Sequence, residues 1–155
     1  MMMGRMGAAN VEATYRREHQ RLWRALVAFA GDPDVASDAE SEAFTQLIAR
    51  GDAVHDQRAW VWRSAFRIAS GLLATRGATT TMGSADLDLI DTPPIVELLS
   101  MLDVLTDQQR ACVTLRYVGR FTGPEIADLL GTTPGTVRVQ LHHAHDRLRQ
   151  TMESP

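Results

Sequence analysis

Apolar residues recur along most of this chain at the spacing of one face of a helix, and nowhere with the alternation of a half-buried strand. Tyr15, Leu22, Leu26 and Phe29 give a first helix over Val11 to Ala30, with Arg16, Arg17, Arg21 and Arg24 around the stripe, a set whose bland reading is a solvated face and whose other reading is a functional one. Gly31-Asp32-Pro33 stops it and restarts the chain, with Asp32 as a cap and Pro33 in the first turn of the next helix. That helix, Pro33 to about Ala49, has Val35, Ala39, Phe44, Leu47 and Ile48 as its apolar stripe. Asp38, Glu40 and Glu42 make its exposed side acidic. After a loop from Gly51 to Asp56, Asp56 can cap a third helix, Gln57 to about Arg76. It holds Trp60, Trp62, Phe66, Ile68, Leu72 and Leu73 among Arg58, Arg63, Arg67 and Arg76. Trp60 and Trp62 stand two apart and so point in different directions, which predicts one in the core and the other part-exposed.

Residues 77–94 break the pattern with Gly, Thr, Ser, Asp and two prolines, the makeup of an irregular linker. Helical periodicity returns as a short helix from Ile95 to Leu105. Thr106 and Gln109 then form a capping box, and the helix they open carries Ala111, Val113, Leu115 and Val118 to a stop near Gly119. Thr122 and Glu125 repeat the device, with Pro124 in the first turn, on a short helix of Ile126, Ala127, Leu129 and Leu130. Gly131 supplies the positive φ of a turn, and Thr133 caps a last helix through Val137, Leu141 and Leu148, with Pro134 at its first position. A capped short helix, a glycine turn and a second capped helix, with small Ala127 at the crossing, make a helix-turn-helix. Its physical use is to set the second helix in a DNA major groove.

Composition sharpens this picture. The net charge is −3 and every basic side chain is Arg. Residues 1–77 hold ten Arg and nine acids, residues 78–104 five acids and no Arg, and residues 105–155 six Arg and five acids, so two near-neutral parts are joined by an acidic connector. The lone cysteine, Cys112, lies in a helical apolar pattern and fits a core position in a reducing cytosol better than a redox role. No run is apolar enough to predict membrane insertion, and residues 1–10 lack the apolar block of a secretory signal. The acidic residues of the second helix have no histidine placed to complete a catalytic or metal site. His142 and Asp146, one turn apart, lack the further ligands a metal needs, so neither metal nor cofactor is expected. No nucleophile–base pair or phosphate loop points to an enzyme. Aromatics interleaved with Arg on the third helix suit unpaired bases and phosphate.

Two resemblances follow. Leu105-Thr-Asp-Gln-Gln-Arg110, Leu115-Arg-Tyr117, Glu125-Ile-Ala127, Leu130-Gly131 and Thr133-Pro-Gly-Thr-Val137 resemble region 4 of bacterial sigma factors of the extracytoplasmic-function class. Gly31-Asp32, Asp38 with Glu42 and Phe44, Ala59-Trp60-Val61-Trp62-Arg63 and Ala65-Phe-Arg67-Ile-Ala69 resemble region 2 of the same class. Together they cover nearly the whole chain in the family's order. The resemblance implies an all-α protein with a region 2-like helical bundle at 10–77, an acidic linker at 78–94 and a region 4-like helix-turn-helix domain at 95–152. It implies a cytoplasmic sigma factor that binds core RNA polymerase and directs promoter recognition and opening, with no catalytic residue of its own. An anti-sigma factor is the expected further partner. By position Asp38 and Glu42 would face polymerase. Trp62, Arg63 and Arg67, with the loop Gly51 to Asp56, would face DNA opened at the promoter. Thr133, Thr136, Arg138, Gln140, His142 and His143 would face duplex DNA. The last helix is less basic than the family's usual, with Arg138 its one cation near the groove. This predicts weak binding alone, with polymerase holding the domain in place. The competing expectation is a degenerate sigma-like adapter that binds polymerase or a regulator without competent promoter recognition.

Overall fold

The structure, a computed structural model, describes residues 2–76 and 99–153. The described residues are helical apart from short connections: α1 (Met2–Ala30), α2 (Pro33–Arg50), a 3-10 turn (Gly51–Ala53), α3 (Gln57–Arg76), a helical stretch at 99–102, α4 (Asp107–Tyr117), α5 (Gly123–Leu130) and α6 (Pro134–Glu153). The expected linker at 78–94 and the start of the short helix at Ile95 lie outside the described residues. The first helix runs from Met2, well before the expected Val11.

α1, α2 and α3 pack as a bundle around Leu22, Leu26, Leu47, Val61 and Trp62, each with no exposed surface. Burying a side chain of this size stabilises the fold by about 1.5–3 kcal/mol. The entry to α2 is fixed locally: Oδ1 of Asp32 accepts from the backbone N–H of Asp34 at 2.8 Å and of Val35 at 3.4 Å. Two assignments on α2 change. Ile48 is 66% exposed rather than part of the stripe, and Glu40 is buried rather than on the acidic face. The buried row is Ala36, Glu40, Ala43 and Leu47, successive turns of one face. The alanines leave room there for a longer side chain, and Glu40 accepts it by bonding Nδ1 of His19 at 2.8 Å. Tyr15 is likewise 42% exposed, its ring stacked on His19 at 4.6 Å and set edge-on to Phe44 at 4.9 Å.

The second half is built on the helix-turn-helix, with Leu115, Ile126 and Val137 fully buried where α4, α5 and α6 meet. The halves are not separate. One apolar cluster runs from Leu22, Trp62 and Phe66 into Leu115, Phe121 and Ile126. α4 lies against α1, and α5 against α3. Arg110 Nε donates to the carbonyl of Phe29 at 2.7 Å, and Arg58 Nη2 to that of Gly119 at 2.9 Å.

Candidate nucleic-acid interface

The helix-turn-helix is set by the caps that the sequence predicts. Thr122 Oγ1 accepts from Glu125 N–H at 3.3 Å while Glu125 Oε1 accepts from Thr122 N–H at 2.9 Å, a closed capping box. These bonds hold the Glu125 carboxyl below the usual carboxylate range. Thr106 and Gln109 form the same box ahead of α4. Gly131 ends α5 with φ 68, in the left-handed region where a Cβ is strained. Thr133 Oγ1 then accepts from the N–H of Thr136 at 3.2 Å and lies 2.9 Å from the Thr136 hydroxyl. Both hydroxyls are therefore already engaged at the N-terminus of α6.

α6 turns Val137 and Ala144 fully inward and half-buries Leu141 and Leu148, a 3.6-period stripe facing α4 and α5. The opposite face carries exposed Arg138, His142 and His143, with Gln140 half-buried at its edge. Gln140 reaches Gln108 only at 3.5 Å, so its amide is not strongly held. His142 Nε2 lies 3.3 Å from Asp146, which Arg149 also approaches at 3.6 Å. Among the described residues no group of three or more His, Cys, Asp or Glu side chains is placed to hold a metal ion. Cys112 is fully buried, and burial pushes its thiol up to about 11.

On α3 the helical phase separates what the sequence groups together. Arg58, Trp62 and Phe66 recur every four residues along one face, and Trp60, Arg63 and Arg67 share another. Trp62 has no exposed surface. Its indole N–H donates to Glu18 Oε1 at 2.9 Å, and its ring packs on Phe66 and edge-on to Phe121 at 5.1 Å. In this arrangement Trp62 has no surface with which to meet DNA. Trp60 is the half-exposed tryptophan, with the Arg50 guanidinium 5.5 Å from its ring centroid. Arg67 is exposed and Arg63 half-buried, with its Nε buried and without a hydrogen-bond partner. Trp60 and Arg50 thus join Arg63 and Arg67 as candidates that the sequence reading passed over. The signal for Trp60 was the spacing of 60, 63 and 67, which places one aromatic and two arginines on one side of a helix; Arg50, on α2, comes to them only through packing.

On α2, Asp38 and Glu42 are exposed one turn apart, and Glu42 accepts from Gln46 at 3.0 Å. Acid and Arg-bearing faces therefore sit on different helices of one bundle, an arrangement that can meet a basic protein surface and a nucleic acid at once.

The chain is similar to known proteins over both halves. Residues 95–148 match the family "Sigma-70, region 4". The chain is 28% identical to the ECF RNA polymerase sigma factor SigL of Mycobacterium tuberculosis, over 95% of this chain and 94% of that protein. It is 42% identical over 57 residues to RNA polymerase sigma-E factor of Streptomyces avermitilis, a match to 37% of this chain that spans about a third, 32%, of that relative's length. Its fold is similar to that of CnrH, solved in complex with the cytosolic domain of CnrY: TM-score 0.74 at 19% identity, over 98% of this chain and 96% of that one.

Proposed function

We propose that the chain is an RNA polymerase sigma factor of the extracytoplasmic-function class, a reading its similarity to region 4 of the family, to SigL and to sigma-E supports, and that it binds core RNA polymerase and directs it to promoters. The observation that carries this reading is α6. It is capped at Thr133, packed inward by Val137 and Ala144, and presents Arg138, Gln140, His142 and His143 on its outward face. Arg138 would neutralise phosphate and Gln140 would read a base edge. Arg63 and Arg67, with Trp60 beside them, would hold the opened strand. Asp38 and Glu42 would dock on polymerase. The domain limits 10–77 and 95–152 follow the same reading. One arginine near the groove predicts weak duplex binding until polymerase holds the domain in place.

Further partners and place of action extend the proposal. An anti-sigma factor would hold the chain off polymerase; CnrH, similar in fold, was solved in complex with another protein, the cytosolic domain of CnrY. The site of action would be the cytoplasm, and the chemistry of RNA synthesis would be polymerase's own. Among the described residues no helix is long and apolar enough to cross a membrane.

Run-off transcription tests the reading, with core polymerase from the same organism on a genomic fragment pool. Specific initiation that is lost in an Arg63→Ala/Arg67→Ala variant is the expected result. Core binding without initiation from any fragment would instead favour the adapter, and no core binding would sink both.

A further inference from the structure

The buried stripe of α6 defines which way its outer face looks. At 3.6 residues a turn, Val137, Leu141, Ala144 and Leu148 lie within about 60° of one another round the helix. Val139 follows Val137 by two residues, about 200° round, and so stands opposite that stripe. It is 50% exposed. Gly135 lies one turn earlier on the same line, and His142 and His143 one turn later. Arg138 flanks the line on one side, and Gln140 on the other, half-buried. The middle of the outer face is therefore small and apolar, with polar groups around it.

The chain's own packing accounts for neither residue. A β-branched valine is a weaker helix former than most polar residues, and here half of it stays in water. Glycine is weaker still, yet no positive φ requires it at position 135. A Cβ there would meet nothing nearer than Thr133 Oγ1 at 3.9 Å, an ordinary contact. Both residues suit a face that closes on a partner. Glycine lets the partner come near the backbone. Valine is held in one preferred χ1 by its branching, so its methyl groups are in place before contact.

The chemistry of valine narrows what that partner offers. It has no donor or acceptor, so it cannot read the hydrogen-bonding pattern of a base edge. The apolar feature of the major groove is the C5-methyl group of thymine. We infer that Val139 selects thymine at one step of duplex promoter DNA by packing on that methyl group, with Gly135 giving the base edge room to approach. This rests on the promoter reading of α6 above. Arg138 holds phosphate beside the contact, and discrimination at that step is apolar.

The test uses the full chain assembled with core polymerase. Its probes are duplexes that this holoenzyme selects from a random-sequence pool, with each thymine in turn replaced by uracil. The exchange removes the methyl group and keeps the base pair. At one thymine it should weaken binding about fourfold, the fold-change for one carbon group taken out of water. In Val139→Ala the thymine and uracil duplexes should bind alike at that position, while other thymines keep whatever effect they had. Helical circular dichroism checks the variant. Val139→Thr, which keeps the branching and one methyl group, should retain part of the preference. Gly135→Ala, which holds the base edge away, should shrink it. A selected duplex with no uracil-sensitive thymine, or a sensitivity that survives in Val139→Ala, overturns the inference while the promoter reading stands. A full preference in Gly135→Ala overturns the part given to the glycine. If the holoenzyme selects no sequence from the pool, the promoter reading falls and the inference with it.

Discussion

Trp62 donates its indole N–H to Oε1 of Glu18 at 2.9 Å, and the same oxygen accepts from Arg58 Nε at 2.8 Å. A buried carboxylate oxygen with two donors ties α3 to α1. Trp62→Phe keeps most of the ring volume but removes one donor. The expected cost is about 1–3 kcal/mol, the range for breaking a buried hydrogen bond, read as a lower urea midpoint. A midpoint unchanged from the wild type would mean that the bond contributes nothing net.

Glu40 carries one pH dependence. Burial raises its carboxyl above the ordinary range, and the hydrogen bond and charge of His19 only partly offset that. Its Oε2 is buried without a hydrogen-bond partner. At Glu40 the folded state therefore holds more proton than the unfolded one between 4.5 and the raised value, so this group's contribution to stability falls as pH rises through that window. Glu40→Gln has no such titration. Its unfolding free energy relative to the wild type should climb between acid and neutral pH, in chemical melts across that range. Parallel curves would refute the assignment.

Thr122→Ala removes the cap of α5 and leaves its first N–H groups open. A loss of about 1 kcal/mol is expected, with hydrogen exchange accelerated first in α5. The Glu125 carboxyl, held low by its bonds to Thr122, contributes stability above its unfolded value of 4.5 that is lost as pH falls through the lowered one. Glu125→Gln should accordingly be the less acid-sensitive protein.

On the proposed reading of α6, Arg138→Ala should weaken DNA binding evenly across sequences. It should also reduce the slope of log affinity against log salt by about one. Gln140→Ala should relax preference at a single base position and leave the salt slope alone. Fluorescence anisotropy with the polymerase holoenzyme over a salt series separates them. Identical effects of the two would remove the distinction between phosphate and base contact.

The local elements were legible because their causes are local. Asp32, Thr106, Thr122 and Thr133 each bond an N–H two or three residues on, and Gly131 takes the φ its turn requires. Such signals need no knowledge of the rest of the chain, so helix identity, the helix-turn-helix and the outward face of α6 follow from residue order. The tertiary structure decided what lies against what. Trp60 and Trp62 read alike until α1 brings Glu18, and the α4–α5 turn brings Phe121, to the Trp62 face. Phe121 itself reads in sequence as an apolar residue just before a cap, where a local contact with Ile126 would satisfy it. Its meeting with Arg58, whose bond to neighbouring Gly119 spans 61 residues, depends on how two bundles dock. Glu40 reads as a solvated acid until the flanking alanines and His19 on a neighbouring helix make a place for it. Periodicity determines which side of a helix is apolar; only packing against distant segments determines which polar groups that side also admits.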